Sequence, residues 1–207
     1  MLLYYITDRT QFVGNERERS SALIAQAAEA ARYGVNYIQI REKDLPTAEL
    51  EKLARAIVEQ VRDVNPSTRV LINSRTDIAL AAGADGVHLR SSDVSSQDVQ
   101  KIWRATGREF MPVIGVSCHT NADVAAAAQA QATFAVFGPV FEKAGSSAAG
   151  IEALRSACQS ELPVLALGGV TTENARLCVQ AGAAGIAGIR LFQQGDLKEV
   201  VEQLRRI

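Results

Sequence analysis

Four segments of this 207-residue chain repeat one design at nearly even spacing: 34–38 (GVNYI), 83–87 (GADGV), 131–135 (QATFA) and 182–186 (GAAGI). Their starts advance by about 50 residues each time, the length of two strand–helix units, so four steps amount to eight units. In three of the four, a glycine supplies the left-handed residue that stops a helix. The small apolar residue after it lets the chain turn straight into a strand. Short β-branched runs alternate with Ala-rich stretches of helical period, the pattern of a parallel sheet with helical crossovers. Strands are expected near 2–6, 36–41, 69–72, 85–89, 112–116, 133–137, 163–167 and 185–189. The shortest helix should follow the third strand, and the chain should end on the eighth helix. The expected fold is α/β, one (β/α)8 TIM barrel spanning residues 1–207; a doubly wound open sheet would break the even step at a switch point.

Composition agrees with a large core and narrows the partners. Hydrophobic residues make up 47% and aromatics only 5%, with much Ala, Val, Ile and Leu, the mixture that fills parallel strands and their helices. Lys and Arg number 22 against 23 Asp and Glu, a formal charge of -1, so no global field favours nucleic acid or an anionic membrane. The apolar start meets Asp8 too early for a secretory segment, and no stretch reaches transmembrane length, so a cytoplasmic protein is expected. Cys118, Cys158 and Cys178 lie far apart without CxxC spacing and read as reduced packing residues. The outer helical faces mix alanine and charge without a single apolar patch, which leaves a homodimer open.

Such barrels bind ligands at the C-terminal ends of their strands. On the second strand, alternation puts Gln39, Arg41 and Lys43 on one face and Ile38 and Ile40 on the other. Donors and cations converging on a barrel mouth suit a di- or polyphosphate; the alternative is that they pair with Glu42, Asp44 and other rim acids. In 165–174 (LALGGVTTEN), the pair Gly168-Gly169 can wrap an anion with backbone amides, and Arg190 at the end of strand eight can add charge. Thr171 and Asn174 read as a helix cap. Asp93 is either a helix N-cap or a ligand of Mg2+ bound to a diphosphate. His88 falls on the inward phase of strand four, either facing a ligand or satisfied within the core. Cys118 and His119 are neighbours on a strand and point apart, which argues against a dyad, and Trp103 reads as a packing residue.

The segments YYITDR, GVNYIQIREK, LINSRTDIALAAGADGVHLRSSDV, VIGVSCHT, AVFGPVFEK and LALGGVTTENA resemble, in family order, thiamine phosphate synthase and its TenI-like relatives. The resemblance implies a (β/α)8 barrel that joins hydroxymethylpyrimidine diphosphate to thiazole phosphate, releasing diphosphate, with Mg2+ as cofactor. By position, Gln39, Arg41 and Lys43 would grip the pyrimidine diphosphate, Asn73 the pyrimidine and Ser117 the diphosphate. Asp93 would help hold Mg2+, Lys143 would stand for the family's loop lysine, and Gly169, Ile189 and Arg190, beside Gly168, would form the thiazole phosphate site. Three departures stand out. Ser74 replaces the usual Asp that is the other Mg2+ ligand, the loop 142–150 is short and lacks the family's Thr-rich segment, and Arg190 stands where a Ser is usual. The TenI-like tautomerases are the nearest alternative, but they carry an acid/base His where this chain has Pro139. A barrel that binds thiamine precursors without turning them over is the third reading.

Overall fold

The computed structural model of the chain describes residues 1–142 and 148–207. Eight parallel strands close into a barrel in sequence order: β1 (Leu2–Ile6), β2 (Tyr37–Ile40), β3 (Arg69–Asn73), β4 (Gly86–Leu89), β5 (Val113–Cys118), β6 (Phe134–Phe137), β7 (Val164–Ala166) and β8 (Gly185–Gly188). Closure is made by β8 against β1, from Leu2 opposite Gly185 to Tyr5 opposite Gly188. The helices between them are α1 (Glu16–Arg32), α2 (Thr47–Val64), α3 (Thr76–Ala82), α4 (Ser96–Ala105), α5 (Asn121–Gln129), α6 (Gly150–Ala157) and α7 (Ala175–Gln180). Two more, α8 (Arg190–Gln193) and α9 (Leu197–Arg205), follow β8.

The repeat works as its sequence suggests. Gly34, Gly83 and Gly182 adopt φ of 83°, 74° and 102°, and Gln131, which fills the fourth slot, adopts 59°. After each, the next N–H reaches back to a carbonyl inside the helix: Val35 to Ala30, Ala84 to Ala79, Ala132 to Ala127 and Ala183 to Cys178. All four junctions are therefore Schellman turns; the backbone shape recurs even where the glycine does not.

Alternation along the strands divides the apolar residues into two layers. Ile38, Ile40, Val70, Ile72, Val87 and Ile114 face outward and pack under the helices. Tyr4, Ile6, Leu71, Phe134, Val136, Leu165 and Ala187 fill the inside, with Tyr37 beside them. Tyr4 meets Phe134 edge-on at 5.3 Å, and Tyr37 lies 4.9 Å from the same ring. Trp103 is fully buried outside the barrel, as a packing residue, with the Arg108 guanidinium over its ring at 5.1 Å.

Several boundaries differ from expectation. β5 runs on to Cys118 because Ser117 and Cys118 pair with Val136 and Phe137. β8 stops at Gly188: Ile189 turns to φ -99° and ψ -75°, and Arg190 begins an unexpected short helix. That turn is tied to β1 by paired bonds between the Gln193 amide and the backbone N–H and C=O of Asp8, each 2.9 Å. The shortest helix among the first seven is α7, with six residues, not α3, with seven. The Asn174 side chain spans the loop before α7, accepting from Thr171 N and donating to Gly169 O, so the helix starts only at Ala175. No helix among the described residues is long and apolar enough to cross a membrane.

Candidate active site at the barrel mouth

A hydrogen-bonded chain crosses the upper barrel from β2 to β5. Gln39 is buried, and its amide nitrogen donates to the Tyr4 hydroxyl at 2.8 Å. The Tyr4 oxygen lies 3.1 Å from His88 Nδ1, and His88 Nε2 lies 2.8 Å from Ser117 Oγ. The tautomer that gives every buried donor in this row an acceptor has the Tyr4 O–H donating to Nδ1 and the imidazole proton on Nε2, facing Ser117. Ser117 then accepts from His88 and keeps its own O–H to offer toward the mouth. Burial pushes the His88 pKa down to about 3, helped by the nearby Arg41 charge, so the ring is neutral. Room for it comes from Gly115, where a Cβ would stand 2.9 Å from His88 Nδ1 and 2.7 Å from Phe134. His88 is thus both a satisfied core residue and a neighbour of the mouth.

At the end of β2 the expected competition between acids and cations is settled by a residue from the short 3-10 turn that follows β1. Arg9 is 2% exposed and Glu42 4%. The Arg9 guanidinium takes Asp44 at 2.7 and 2.8 Å, Glu16 at 2.9 Å and Glu42 at 3.3 Å, while Glu42 also accepts from the Thr7 hydroxyl at 2.5 Å and Arg9 N at 3.0 Å. The Arg9 bond holds the Asp44 carboxyl below the usual range. Glu42 and Asp44 are therefore spent on Arg9. Among the described residues no carboxylate lies within 4.0 Å of Arg41 or Lys43, and the two crowd each other: Arg41 lowers the Lys43 pKa, with burial and Arg90 adding to it.

Beyond Lys43, a cavity of about 260 Å3 is lined by Lys43, Asn73, Ser74 and Arg90 among others. Ser74 sits at φ 61°, the left-handed region that non-glycine residues seldom occupy. Its hydroxyl donates to Asp93 at 2.6 Å. Asp93 is not a helix cap, since Ser95 caps α4 by accepting from Asp98 N. Instead the Asp93 carboxylate accepts from the Arg90 backbone at 2.8 Å and from Arg90 Nη2 at 2.9 Å, which hold its pKa low against the effect of burial.

Across the mouth, Gly168, Gly169, Ile189 and Arg190 line a cup of about 420 Å3. Both glycines have positive φ, 96° and 65°. A Cβ on Gly168 would stand 2.6 Å from Pro139, and one on Gly169 2.7 Å from Phe141. Among the described residues neither glycine N–H finds a protein acceptor, which leaves two backbone donors free at the cup. Arg190 is exposed and belongs to α8, one residue beyond where β8 was expected to end. Lys143 lies outside the described residues. Cys118 is buried on the outer face and its Sγ meets its own strand's Val116 carbonyl, while His119 Nδ1 bonds Gly138 O at 2.6 Å, so the two form no dyad.

Of the residues expected at the site, Gln39 and Ser117 meet through Tyr4 and His88, Lys43 and Asn73 line one cavity, the Arg41 charge reaches both His88 and Lys43, and Gly168, Gly169, Ile189 and Arg190 line the cup. Sequence reasoning overlooked Tyr4, and it met Arg9 and Arg90 at polar strand ends without giving them a role. Tyr4 could have been found from alternation, since one of the two tyrosines in YYI must face inward. Arg9 and Arg90 carry no local signal, because their partners lie elsewhere in the chain or depend on a turn.

The family model for thiamine monophosphate synthase matches residues 3–192. A putative thiamine-phosphate synthase of Geobacter sulfurreducens is 41% identical over 190 residues, covering 89% of this chain and 83% of that protein. A thiamine-phosphate synthase of Roseiflexus sp. is 34% identical over 193 residues, covering 91% of this chain and 76% of that one. Among solved structures, the thiamine phosphate pyrophosphorylase of Pyrococcus furiosus superposes with a TM-score of 0.82 at 29% identity, covering 99% of this chain and 94% of that one.

Proposed function

The chain belongs to the thiamine monophosphate synthase family, and on that premise we propose that it joins hydroxymethylpyrimidine diphosphate to thiazole phosphate, giving thiamine phosphate and diphosphate. The observation that carries this reading is the freedom of Arg41 and Lys43: among the described residues neither has a carboxylate in ion-pair contact, Asp8 feeling the Arg41 charge only from farther off, so two cations at a ligand-binding mouth are poised for an anion.

In this reaction the bond between the pyrimidine methylene carbon and the diphosphate oxygen breaks, and its electron pair leaves with the diphosphate. The thiazole nitrogen then forms a bond to the same carbon with its own lone pair. The residues need no covalent nucleophile; they hold two anionic reactants in line and offset the charge that develops on the leaving oxygen. Arg41, Lys43 and the free O–H of Ser117 act on the diphosphate, with Gln39 and Asn73 beside the pyrimidine. Gly168, Gly169, Ile189 and Arg190 hold the thiazole phosphate through free backbone N–H groups and one guanidinium. Lys143 is assigned to the diphosphate by sequence position alone.

Magnesium is the cofactor this family reading brings, with Asp93 as its protein ligand. The donor set does not fit a resident ion well. Ser74 contributes a neutral hydroxyl whose proton is already given to Asp93, and both Asp93 oxygens already accept from Arg90 or Ser74. Among the described residues no group of three potential metal-binding side chains occurs. Magnesium prefers one or two free carboxylates together with substrate phosphates, and the Asp93 oxygens are already engaged.

The test is direct incubation of the purified chain with both substrates, with thiamine phosphate followed as fluorescent thiochrome. Product above a protein-free blank is expected; its absence, with and without Mg2+, would overturn the synthase reading.

A further inference from the structure

The cavity beside Asn73 holds a cation that neither the mechanism above nor the family pattern uses. Arg90 is about half exposed, 54% for its side chain, and it is fixed rather than loose. Its Nη2 binds Asp93 Oδ1 at 2.9 Å and its Nε lies 3.1 Å from Ser74 Oγ. Its Nη1 has no protein partner among the described residues, so one edge of the guanidinium stays open. Lys43, Asn73, Ser74 and Arg90 line the same cavity, and Arg90 and Arg41 are both near enough to Lys43 to disfavour its charge. The lining also carries Glu42 and Arg75, but Glu42 is held by Arg9 and Arg75 by Asp77, so Lys43 and the open edge of the Arg90 fork are what the cavity offers an anion.

We propose that Arg90, oriented by Asp93 and Ser74, binds the departing diphosphate directly and supplies the positive charge that a divalent ion would otherwise bring, so that this mouth holds diphosphate without a metal. The proposal rests on the synthase reading for its ligand. When the carbon–oxygen bond breaks, the electron pair stays on the diphosphate, and the Arg90 N–H groups donate hydrogen bonds to that oxygen cluster; no proton has to transfer. Ser74 and Asp93 become positioning residues: they hold the arginine fork rather than an ion.

Calorimetry with inorganic diphosphate on the intact chain tests this apart from turnover. In excess EDTA the wild-type chain is expected to bind diphosphate, and saturating Mg2+ should change the affinity by less than about threefold. Arg90→Ala should weaken binding in EDTA by about tenfold or more. If that variant fails to fold, judged by circular dichroism, Arg90→Gln keeps a polar hydrogen-bonding side chain, shorter and without the charge, and should show the same loss. Ser74→Asp combined with Arg90→Gly should make binding depend on Mg2+. Binding by the wild-type chain only after Mg2+ is added, or equal affinity of wild type and the Arg90 variants in EDTA, would overturn the proposal. A negative thiochrome assay overturns the synthase reading and leaves the diphosphate calorimetry to be judged by itself.

Discussion

The Nε2 nitrogen of His88 lies 2.8 Å from the hydroxyl oxygen of Ser117, and the opposite ring nitrogen is held by the Tyr4 hydroxyl. The proton order along this chain leaves Ser117 with an outward donor only while Tyr4 donates to Nδ1. Tyr4→Phe removes that donor, frees the imidazole to change tautomer and lets Ser117 turn its proton inward. The synthase kcat of Tyr4→Phe should fall about tenfold, less than the roughly hundredfold or more that removing a direct donor costs because Tyr4 acts through His88 and Ser117, with a smaller change in KM. An unchanged kcat would mean that Ser117 orients without the chain.

His88 also makes stability depend on pH. Its folded pKa, about 3, lies below the ordinary value of 6.5, so the unfolded chain binds the extra proton between those limits. The contribution is complete above pH 6.5 and is lost as pH falls toward 3, by at most about 1.4 kcal/mol per pH unit. Urea denaturation of wild type and His88→Gln at pH 7 and pH 5 should show the wild type losing more stability on acidification. Parallel losses would place the titration elsewhere.

The buried pair of Arg9 and Glu42 should matter twice. Removing Arg9 leaves a carboxylate with 4% exposure unpaired, and breaking such a pair costs about 3–5 kcal/mol. Arg9→Leu should therefore lower the unfolding free energy by that amount in urea. It also releases Glu42 and Asp44 toward Arg41 and Lys43, so diphosphate affinity measured by calorimetry below the melting temperature should fall. Loss of stability with unchanged affinity would show that the two cations do not depend on Arg9.

Gly168 is expected to be intolerant of a single methyl group. Its φ of 96° and the 2.6 Å approach of a built Cβ to Pro139 mean that Gly168→Ala must move the loop. Binding of thiazole phosphate should drop about tenfold or more, with a stability cost of about 1–3 kcal/mol, read by calorimetry and thermal unfolding. Unaltered binding would remove this loop from the phosphate site.

The cysteines should separate by reactivity. Burial pushes the Cys118 thiol up to about 12 and the Cys178 thiol to about 11, while Cys158 is only half-buried. With Ellman's reagent at pH 8 the native chain should react at Cys158 first, and the other two should follow only on unfolding. Rapid reaction of all three would indicate that the outer layer opens easily.

The architecture was legible because its information is local. Gly34, Gly83 and Gly182 mark helix ends within a few residues, and the turn they make is shared by Gln131, so the spacing alone fixed the number of units. Gln39 was legible from alternation for the same reason; Arg41 and Lys43 lie past the end of β2 at Ile40, where alternation no longer holds, and Lys43 shares its cavity with the outward Ile40. What could not be read is non-local. The release of Arg41 and Lys43 depends on Arg9, which arrives from the turn after the first strand, and the function of Asp93 depends on Ser95 having taken the helix cap. Arg190 was placed one element too early because the turn at Ile189 is set by Gln193 reaching back to Asp8.

The aromatic filling of the barrel has a kinetic meaning. Tyr4, Tyr37 and Phe134 fill the barrel below the mouth with rings packed edge-on and tilted, among the described residues a closed floor of packed side chains. The vessel has one doorway: two reactants must enter and two products must leave by the same end, so each departure has to precede the next arrival. Whatever lingers at the threshold, released diphosphate above all, delays the following cycle.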